Sequence, residues 1–129
     1  TVDQLIDIFC SQEAKEQILQ IGDIQKHREL KIGNLSTGIR KLTEVLVILY
    51  SRSKFVILDE PFSFLSPVLT EQVIIHIRKQ SEQKGIFLTD HLFQHVFDVC
   101  TKHYLLFNGS LRLITEKSQL EDFGYVLRR

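Results

Sequence analysis

The chain of 129 residues is long enough for one domain, or part of one, with a hydrophobic core. Its 43% hydrophobic and 25% charged residues are typical of a globular protein and exclude a disordered one. Sixteen basic and sixteen acidic side chains cancel, so no global field attracts nucleic acid, and no apolar run is long enough for direct membrane insertion.

The first third of the chain has the periodicity of helices. Apolar residues three and four apart predict a helix over residues 2–9. Ser11 can cap a second helix that ends at Gly22. A long helix is then predicted to begin at Ser36 and to continue through Tyr50, with leucine and valine on its inner side.

After this helix the pattern changes to alternating strands and helices. Residues 55–58 are all apolar, which predicts a strand buried on both faces in the middle of a mainly parallel sheet. Ser66 as N-cap and Pro67 at the first helical position begin the next helix. A second buried strand is predicted at 86–88, and a short helix over about 92–100.

The last third predicts a β-hairpin. Asn108 and Gly109 lie between two short apolar runs, and Asn-Gly is the typical sequence of a tight hairpin turn. Ser118 is predicted to cap a final short helix. Arg128 and Arg129 form too short a basic run for anything more than a solvated tail.

Three side chains are predicted to meet at one edge of the sheet. Asp59 and Glu60 follow the first strand directly, and ligands of parallel sheets bind beyond the carboxyl ends of the strands. One carboxylate there can hold Mg²⁺ and the other can activate a water. His91 follows the second strand, where it could donate a hydrogen bond to phosphate. Taken alone, the acids favour a simpler interpretation, a strand that ends in solvated acids and a proline.

The start of the long helix is a second candidate site. Leu35-Ser36-Thr37-Gly38 places unpaired N–H groups and a partial positive charge where a phosphate can bind. Ser36 can add a hydroxyl, and Gly38 lets a ligand approach the backbone closely. Without further context, an ordinary N-cap serine followed by a glycine is the simpler interpretation.

These motifs, in this order and at these separations, resemble the C-terminal part of an ATP-binding-cassette (ABC) ATPase. Residues 35–39 are similar to its signature motif, 56–61 to its Walker B strand, 63–66 to its D-loop, and His91 to its switch histidine. The pairing of Asp-Glu-Pro-Phe with Thr-Asp-His is nearest to the lipopolysaccharide-export and branched-chain amino-acid transport types.

The resemblance implies an α/β fold: a single partial P-loop NTPase domain over 1–129, with a mainly parallel sheet. Residues 1–50 would form an N-terminal helical subdomain with the signature helix. Residues 51–129 would form the α/β part, with Walker B, the switch histidine and a C-terminal β-hairpin. The phosphate-binding loop Gly-x-x-x-x-Gly-Lys-Ser/Thr is absent, as though the N-terminal half had been removed.

The resemblance also implies roles for single residues. Asp59 would hold Mg²⁺ through a water, Glu60 would polarise the attacking water, and His91 would contact the γ-phosphate. The residues expected to bind an ATP held by a facing copy are Leu35, Ser36, Thr37, Gly38 and Ser66. Ile39 and Ser66 depart from the family, replacing a polar signature residue and the D-loop aspartate.

In function, the resemblance implies an ATP- and Mg²⁺-dependent hydrolase that powers transport in an intact dimer. Its partners would be a second ABC cassette and a membrane-spanning subunit, on the cytoplasmic face of the membrane. The distant Cys10 and Cys100 give no disulfide framework and favour a reducing cytosol. Because it lacks the phosphate-binding loop, the isolated chain is predicted to be inactive.

Alternatives stay open. Residues 33–38 could be a degenerate phosphate-binding loop after a strand at 28–32, although Ile39 and Arg40 then replace its lysine and hydroxyl. A zinc site is a weaker alternative to scattered surface histidines, and its candidate ligands are His91, His95, Cys100 and His103. The chain could also be a binding module without chemistry, or a soluble ABC protein of translation or DNA repair.

Overall fold

The computed structural model describes residues 1–125, so the predicted tail of Arg128 and Arg129 lies outside the described residues. No helix within 1–125 has the length and apolar character needed to cross a membrane. The elements are, in chain order, α1 (Val2–Phe9), α2 (Gln12–Leu19), α3 (Gly22–His27), a 3₁₀ turn (Ile32–Asn34), α4 (Thr37–Leu49), β1 (Phe55–Asp59), α5 (Pro67–Ser81), β2 (Gly85–Thr89), α6 (Phe93–Val99), β3 (His103–Phe107), β4 (Ser110–Ile114) and α7 (Gln119–Asp122).

The helical start agrees with the sequence except at one boundary. The hydroxyl of Ser11 accepts the N–H of Ala14 and caps α2 as predicted. The predicted end at Gly22 is wrong, because α2 ends at Leu19 and Gly22 is the first residue of α3. The carbonyl of Ile21 accepts two N–H groups from the next turn, so the chain re-enters a helix at once.

The predicted parallel pairing is confirmed. Strands β1 and β2 pair in register from Phe55 opposite Gly85 to Asp59 opposite Thr89. Parallel strands share their polarity, so both carboxyl ends emerge at the same edge of this two-stranded sheet.

The predicted burial of β1 on both faces is wrong. Val56 and Leu58 are 6% and 2% exposed, whereas Phe55 and Ile57 are 79% and 71% exposed. In the part of the chain that the structure describes, β1 pairs only with β2, and the helices pack against only one of its faces. Strand β2 is also half-covered, since Phe87 is 61% exposed, so it is not the buried strand expected.

The core lies between the inner face of β1 and helices α1, α4 and α5. The long helix α4 begins after Ser36 as predicted, and its inner residues Leu42, Leu46 and Leu49 have no exposed surface. Val73 and Ile77 of α5 reach the same core. Burying each such side chain contributes roughly 1.5–3 kcal/mol.

An apolar groove of about 570 Å³ lies between β1 and helices α1 and α4. Its apolar walls come from α1, α4 and β1 and comprise Leu5, Phe9, Val47, Ile48, Phe55, Val56 and Ile57. The free edge of β1 and this groove are therefore surfaces that a further strand or helix can cover.

The C-terminal hairpin is confirmed. Strands β3 and β4 are antiparallel, and Asn108 and Gly109 both have positive φ, at 49° and 73°, as a tight hairpin turn of two such residues requires.

Ser118 is the N-cap residue of the last helix, as predicted, but its hydroxyl does not cap the helix. The hydroxyl of Ser118 donates to the carboxylate of Glu116 and makes no bond to α7. The side-chain oxygen of Gln119, the first residue of α7, accepts the backbone N–H groups of Thr115 and Glu116 and so orders the turn before the helix.

A partly buried polar pair links the end of α4 to α5. The hydroxyl of Tyr50, which is 4% exposed, forms a hydrogen bond of 2.7 Å with Nδ1 of His76. Burial, aided by the positive charge of Lys79, lowers the pKa of His76. The folded protein therefore favours the neutral imidazole, whose Nδ1 can accept this hydrogen bond.

This pair predicts a pH-dependent stability. A histidine whose folded pKa is depressed stabilises the protein above its unfolded pKa of about 6.5, and this contribution is lost as the pH falls through the folded pKa. The free energy of unfolding, measured by urea denaturation between pH 8 and 5, should fall below about pH 6.5. His76→Gln should remove much of this slope, whereas His91→Gln, at an exposed site, should keep it. An unchanged slope in His76→Gln would contradict this assignment.

Candidate active site

The acids at the end of β1 are held by the end of β2. The ladder continues one step past the strands, because the N–H of Glu60 donates to the carbonyl of Thr89 at 2.8 Å. The hydroxyl of Thr89 donates to Oδ1 of Asp59. The Asp59 carboxylate is thus oriented by a neighbouring strand.

Glu60 has an unusual backbone conformation. Its φ is +46°, a left-handed value that costs a non-glycine residue about 1–3 kcal/mol and recurs at functional sites. Its Oε2 accepts the hydroxyl of Ser63 at 3.1 Å, and its carbonyl accepts the N–H of the same residue. The side chain is 53% exposed, so it is fixed by this turn yet open to solvent.

His91 lies at the same edge as Glu60. Its Nδ1 is 3.7 Å from Oε1 of Glu60 and 3.7 Å from Oδ1 of Asp90, and the ring is 61% exposed. These separations are too long for hydrogen bonds but suit a charge pair when the ring is protonated. The structure therefore brings Asp59, Glu60 and His91 together, as the strand order predicts.

The start of α4 packs beneath the loop that follows β1. A Cβ on Gly38 would lie 3.3 Å from Cδ1 of Leu69 and 3.4 Å from the carbonyl oxygen of Phe64. The absence of a side chain at position 38 thus allows α4 to pack closely against this loop and the start of α5. Leu35 is 7% exposed, and its side chain packs in the core.

The other predicted residues of this region are exposed. Ser36 and Ser66 each cap a helix, since their hydroxyls accept the N–H groups of Ile39 and Leu69 at 3.4 Å. Thr37 is exposed at the first position of α4. Ser36 and Thr37 stand at the start of α4 and Ser66 at the start of α5, and nothing in the described contacts assigns them a ligand.

The sequence did not single out Lys41. Its Nζ donates to the backbone carbonyl of Asp59 at 3.2 Å and so ties α4 to the end of β1. A lysine one turn into a helix has the same local pattern as a solvated surface lysine. Only the packing of α4 on β1 distinguishes the two.

Two sequence alternatives find no support. Residues 28–32 form a turn and the start of a 3₁₀ turn, so no strand precedes 33–38 as a phosphate-binding loop requires. Within residues 1–125, no three His, Cys, Asp or Glu side chains are arranged to hold a metal. His95 packs against the ring of Phe62, and His103 stacks on Phe97 at 4.1 Å.

Comparison with known proteins relates this geometry to a family. No family model matches the chain. The chain is 28% identical over 112 residues to the lipopolysaccharide export system ATP-binding protein LptB of Acidithiobacillus ferridurans, covering 86% of this chain and 46% of that protein. It is 27% identical to the Escherichia coli K12 protein of that name, covering 78% and 42%.

Solved structures share the fold. A nucleotide-free ATP-binding cassette from an ABC transporter superposes with a TM-score of 0.67 at 20% identity, covering 91% of this chain and 48% of that one. An ATP binding subunit of an ABC transporter gives 0.73 at 19% identity, covering 97% and 57%.

The chain is related to the ATP-binding cassettes of ABC transporters. The predicted α/β fold with a parallel sheet is confirmed, and it is the fold of part of an ABC transporter's ATP-binding cassette. The chain spans less than half the length of the curated relatives described above.

A second residue with a strained backbone, Phe64, lies in the loop that packs on the start of α4. Phe64 has φ +64° and is 78% exposed, so it incurs the left-handed cost of about 1–2 kcal/mol with little burial in return. Phe64→Gly should raise the free energy of unfolding by about 1 kcal/mol, measured by urea denaturation at pH 7. Asn108→Gly is the control and should change it little, because asparagine tolerates this conformation. A less stable Phe64→Gly protein would mean that the phenyl ring contributes to folding.

Proposed function

We propose that this chain is the part of an ABC ATPase that carries the hydrolytic groups, and that the complete cassette hydrolyses ATP to drive transport. The observation that supports it most is the juxtaposition of Glu60 and His91 at one sheet edge, beside an Asp59 that Thr89 orients. The relationship to ABC transporter ATP-binding proteins gives this cluster its chemical context.

The proposed reaction is in-line attack of water on the terminal phosphorus of ATP. Glu60 orients and polarises the water, and His91 donates a hydrogen bond to an oxygen of the transferred phosphoryl group. Little covalent chemistry is required, so positioning and charge neutralisation supply most of the rate. The strained, hydrogen-bonded turn at Glu60 suits a group whose carboxylate must stay in place.

The residues fit Mg²⁺ through Asp59. Protein-bound Mg²⁺ usually takes one or two carboxylates, with phosphate oxygens and waters completing its octahedron. A single oriented carboxylate at the sheet edge meets this pattern without a cluster of three protein ligands. When bound, Mg²⁺ would neutralise charge that develops on the phosphate oxygens.

The proposed partners are a second cassette and a membrane-spanning transporter subunit, on the cytoplasmic side of the membrane. Ser36, Thr37, Gly38 and Ser66 would contact an ATP held by the facing cassette, through exposed hydroxyls and the first N–H groups of α4. Leu35 would contribute by anchoring this loop in the core. The chemical identity of the transported substrate does not enter this proposal.

By itself, the 129-residue chain is proposed to be inactive. It contains no Gly-x-x-x-x-Gly-Lys-Ser/Thr sequence, whose backbone cradle and lysine hold the triphosphate. Isothermal titration of the chain with Mg-ATP should therefore give no measurable binding. A micromolar dissociation constant would contradict the proposed inactivity and would favour a complete site within this chain.

The hydrolytic role is tested by supplying the absent loop. Joining Thr1 to a half-cassette that carries the phosphate-binding loop should give a Mg²⁺-dependent ATPase. Glu60→Gln in this joined protein should lower kcat by about 100-fold or more, since a general base contributes that much, and should leave ATP affinity intact. Glu71→Gln, an exposed residue of α5, is the matched control. Unchanged turnover in Glu60→Gln would remove Glu60 as the base.

A further inference from the structure

Asp90, between the Thr89 anchor and His91, has a fully buried carboxylate. Its side chain is 0% exposed. Oδ1 accepts the N–H of Leu92 at 2.8 Å, and Oδ2 accepts the N–H of Phe62 at 3.1 Å. Both carboxylate oxygens are therefore used by backbone donors.

A buried charge requires compensation. Taking a carboxylate out of water costs several kcal/mol unless hydrogen bonds or an opposite charge replace the solvent. Throughout the described residues, no lysine or arginine nitrogen lies within ion-pair distance of Asp90, and His91 approaches only to 3.7 Å. Two charge-assisted bonds from backbone N–H groups are its compensation, and such bonds are short and directional. These two hydrogen bonds fix the positions of the two backbone segments around Asp90, and no opposite charge neutralises its carboxylate.

The two hydrogen bonds have different reach. The bond to Leu92 is local, spanning two residues, and it shapes the turn before α6. The bond to Phe62 spans 28 residues and crosses from the loop after β2 to the loop after β1. Phe62 is 2% exposed and its ring lies against His95. The loop after β1 is therefore held by both the backbone amide and the side chain of Phe62.

This crossing lies between the two groups assigned to hydrolysis. Glu60 is two residues before Phe62, and His91 directly follows Asp90. We propose that Asp90 is a positioning residue that sets the spacing of Glu60 and His91 by fastening the loop after β1 to the loop after β2. Its catalytic meaning rests on the proposed ATP hydrolysis, while the structural coupling is a property of this chain.

The variant Asp90→Ser separates the bond to Phe62 from the local bond to Leu92. A serine hydroxyl can still accept the nearby N–H of Leu92, but it is too short to reach Phe62.

The measurement is NMR of the ¹⁵N-labelled chain. It follows the chemical shifts of the His91 ring nitrogens and the change that Glu60→Gln causes in them. Asp23→Ser is the matched control, because it removes another side-chain acceptor, the one used by Gln72, away from this edge.

We expect the coupling between Glu60 and His91 to weaken in Asp90→Ser and to persist in Asp23→Ser. Glu60→Gln should shift the His91 ring signals in the wild-type and Asp23→Ser backgrounds, and by less than half as much in Asp90→Ser. The Phe62 amide should exchange at least ten times faster in Asp90→Ser, while the Leu92 amide stays protected. An undiminished His91 response in Asp90→Ser would overturn the proposal.

A second variant tests the proposal if Asp90→Ser does not fold. The isosteric Asp90→Asn provides one acceptor oxygen in place of two. In that variant, a full His91 response with an unprotected Phe62 amide would also overturn the proposal, and a diminished one would support it. These measurements need no nucleotide, so a failure of the ATPase assay in the joined protein would leave their result unchanged. In an active joined protein, Asp90→Ser should lower kcat without changing the dissociation constant of ATP.

Discussion

The parallel register of β1 and β2 is the constraint on which the candidate site depends. Asp59 lies opposite Thr89, and the ladder continues through the N–H of Glu60 to the carbonyl of Thr89. A shift of one residue would turn Asp59 to the other face and separate Glu60 from His91. The acids and the histidine are neighbours only because two strands, 30 residues apart along the chain, stop at the same level.

The surroundings of this edge reinforce the register. Helix α4 covers the inner face of β1 and places Lys41 on the carbonyl of Asp59. The start of α4 at Gly38 fits beneath the loop that contains Phe64, and Asp90 joins that loop to the end of β2. Within residues 1–125, the opposite face of β1 is apolar and exposed, with Phe55 and Ile57 open to solvent.

Much of this fold could be predicted from local patterns. The serine caps at Ser11, Ser36 and Ser66 and the Asn108-Gly109 turn were correct, because each depends on hydrogen bonds or φ values within a few residues. The strand order placed the acids and His91 at one edge without knowledge of any side-chain contact.

Other features depend on contacts that local pattern does not encode. The prediction that β1 is buried on both faces was wrong. An apolar run shows that a strand can be buried, but it does not show which elements of this chain pack against it. The Asp90–Phe62 bond and the Lys41 contact join distant segments, so no spacing rule reveals them. Ser118 occupies the N-cap of α7 as predicted, but its hydroxyl donates to Glu116 and does not accept an N–H of the helix.

The register is tested most directly by NMR scalar coupling across the hydrogen bond at the end of β1. The arrangement described here predicts a coupling between the amide nitrogen of Glu60 and the carbonyl carbon of Thr89. A coupling from Glu60 to a different carbonyl of the 85–91 segment, or a Glu60 amide that exchanges as fast as an unfolded chain, would contradict it.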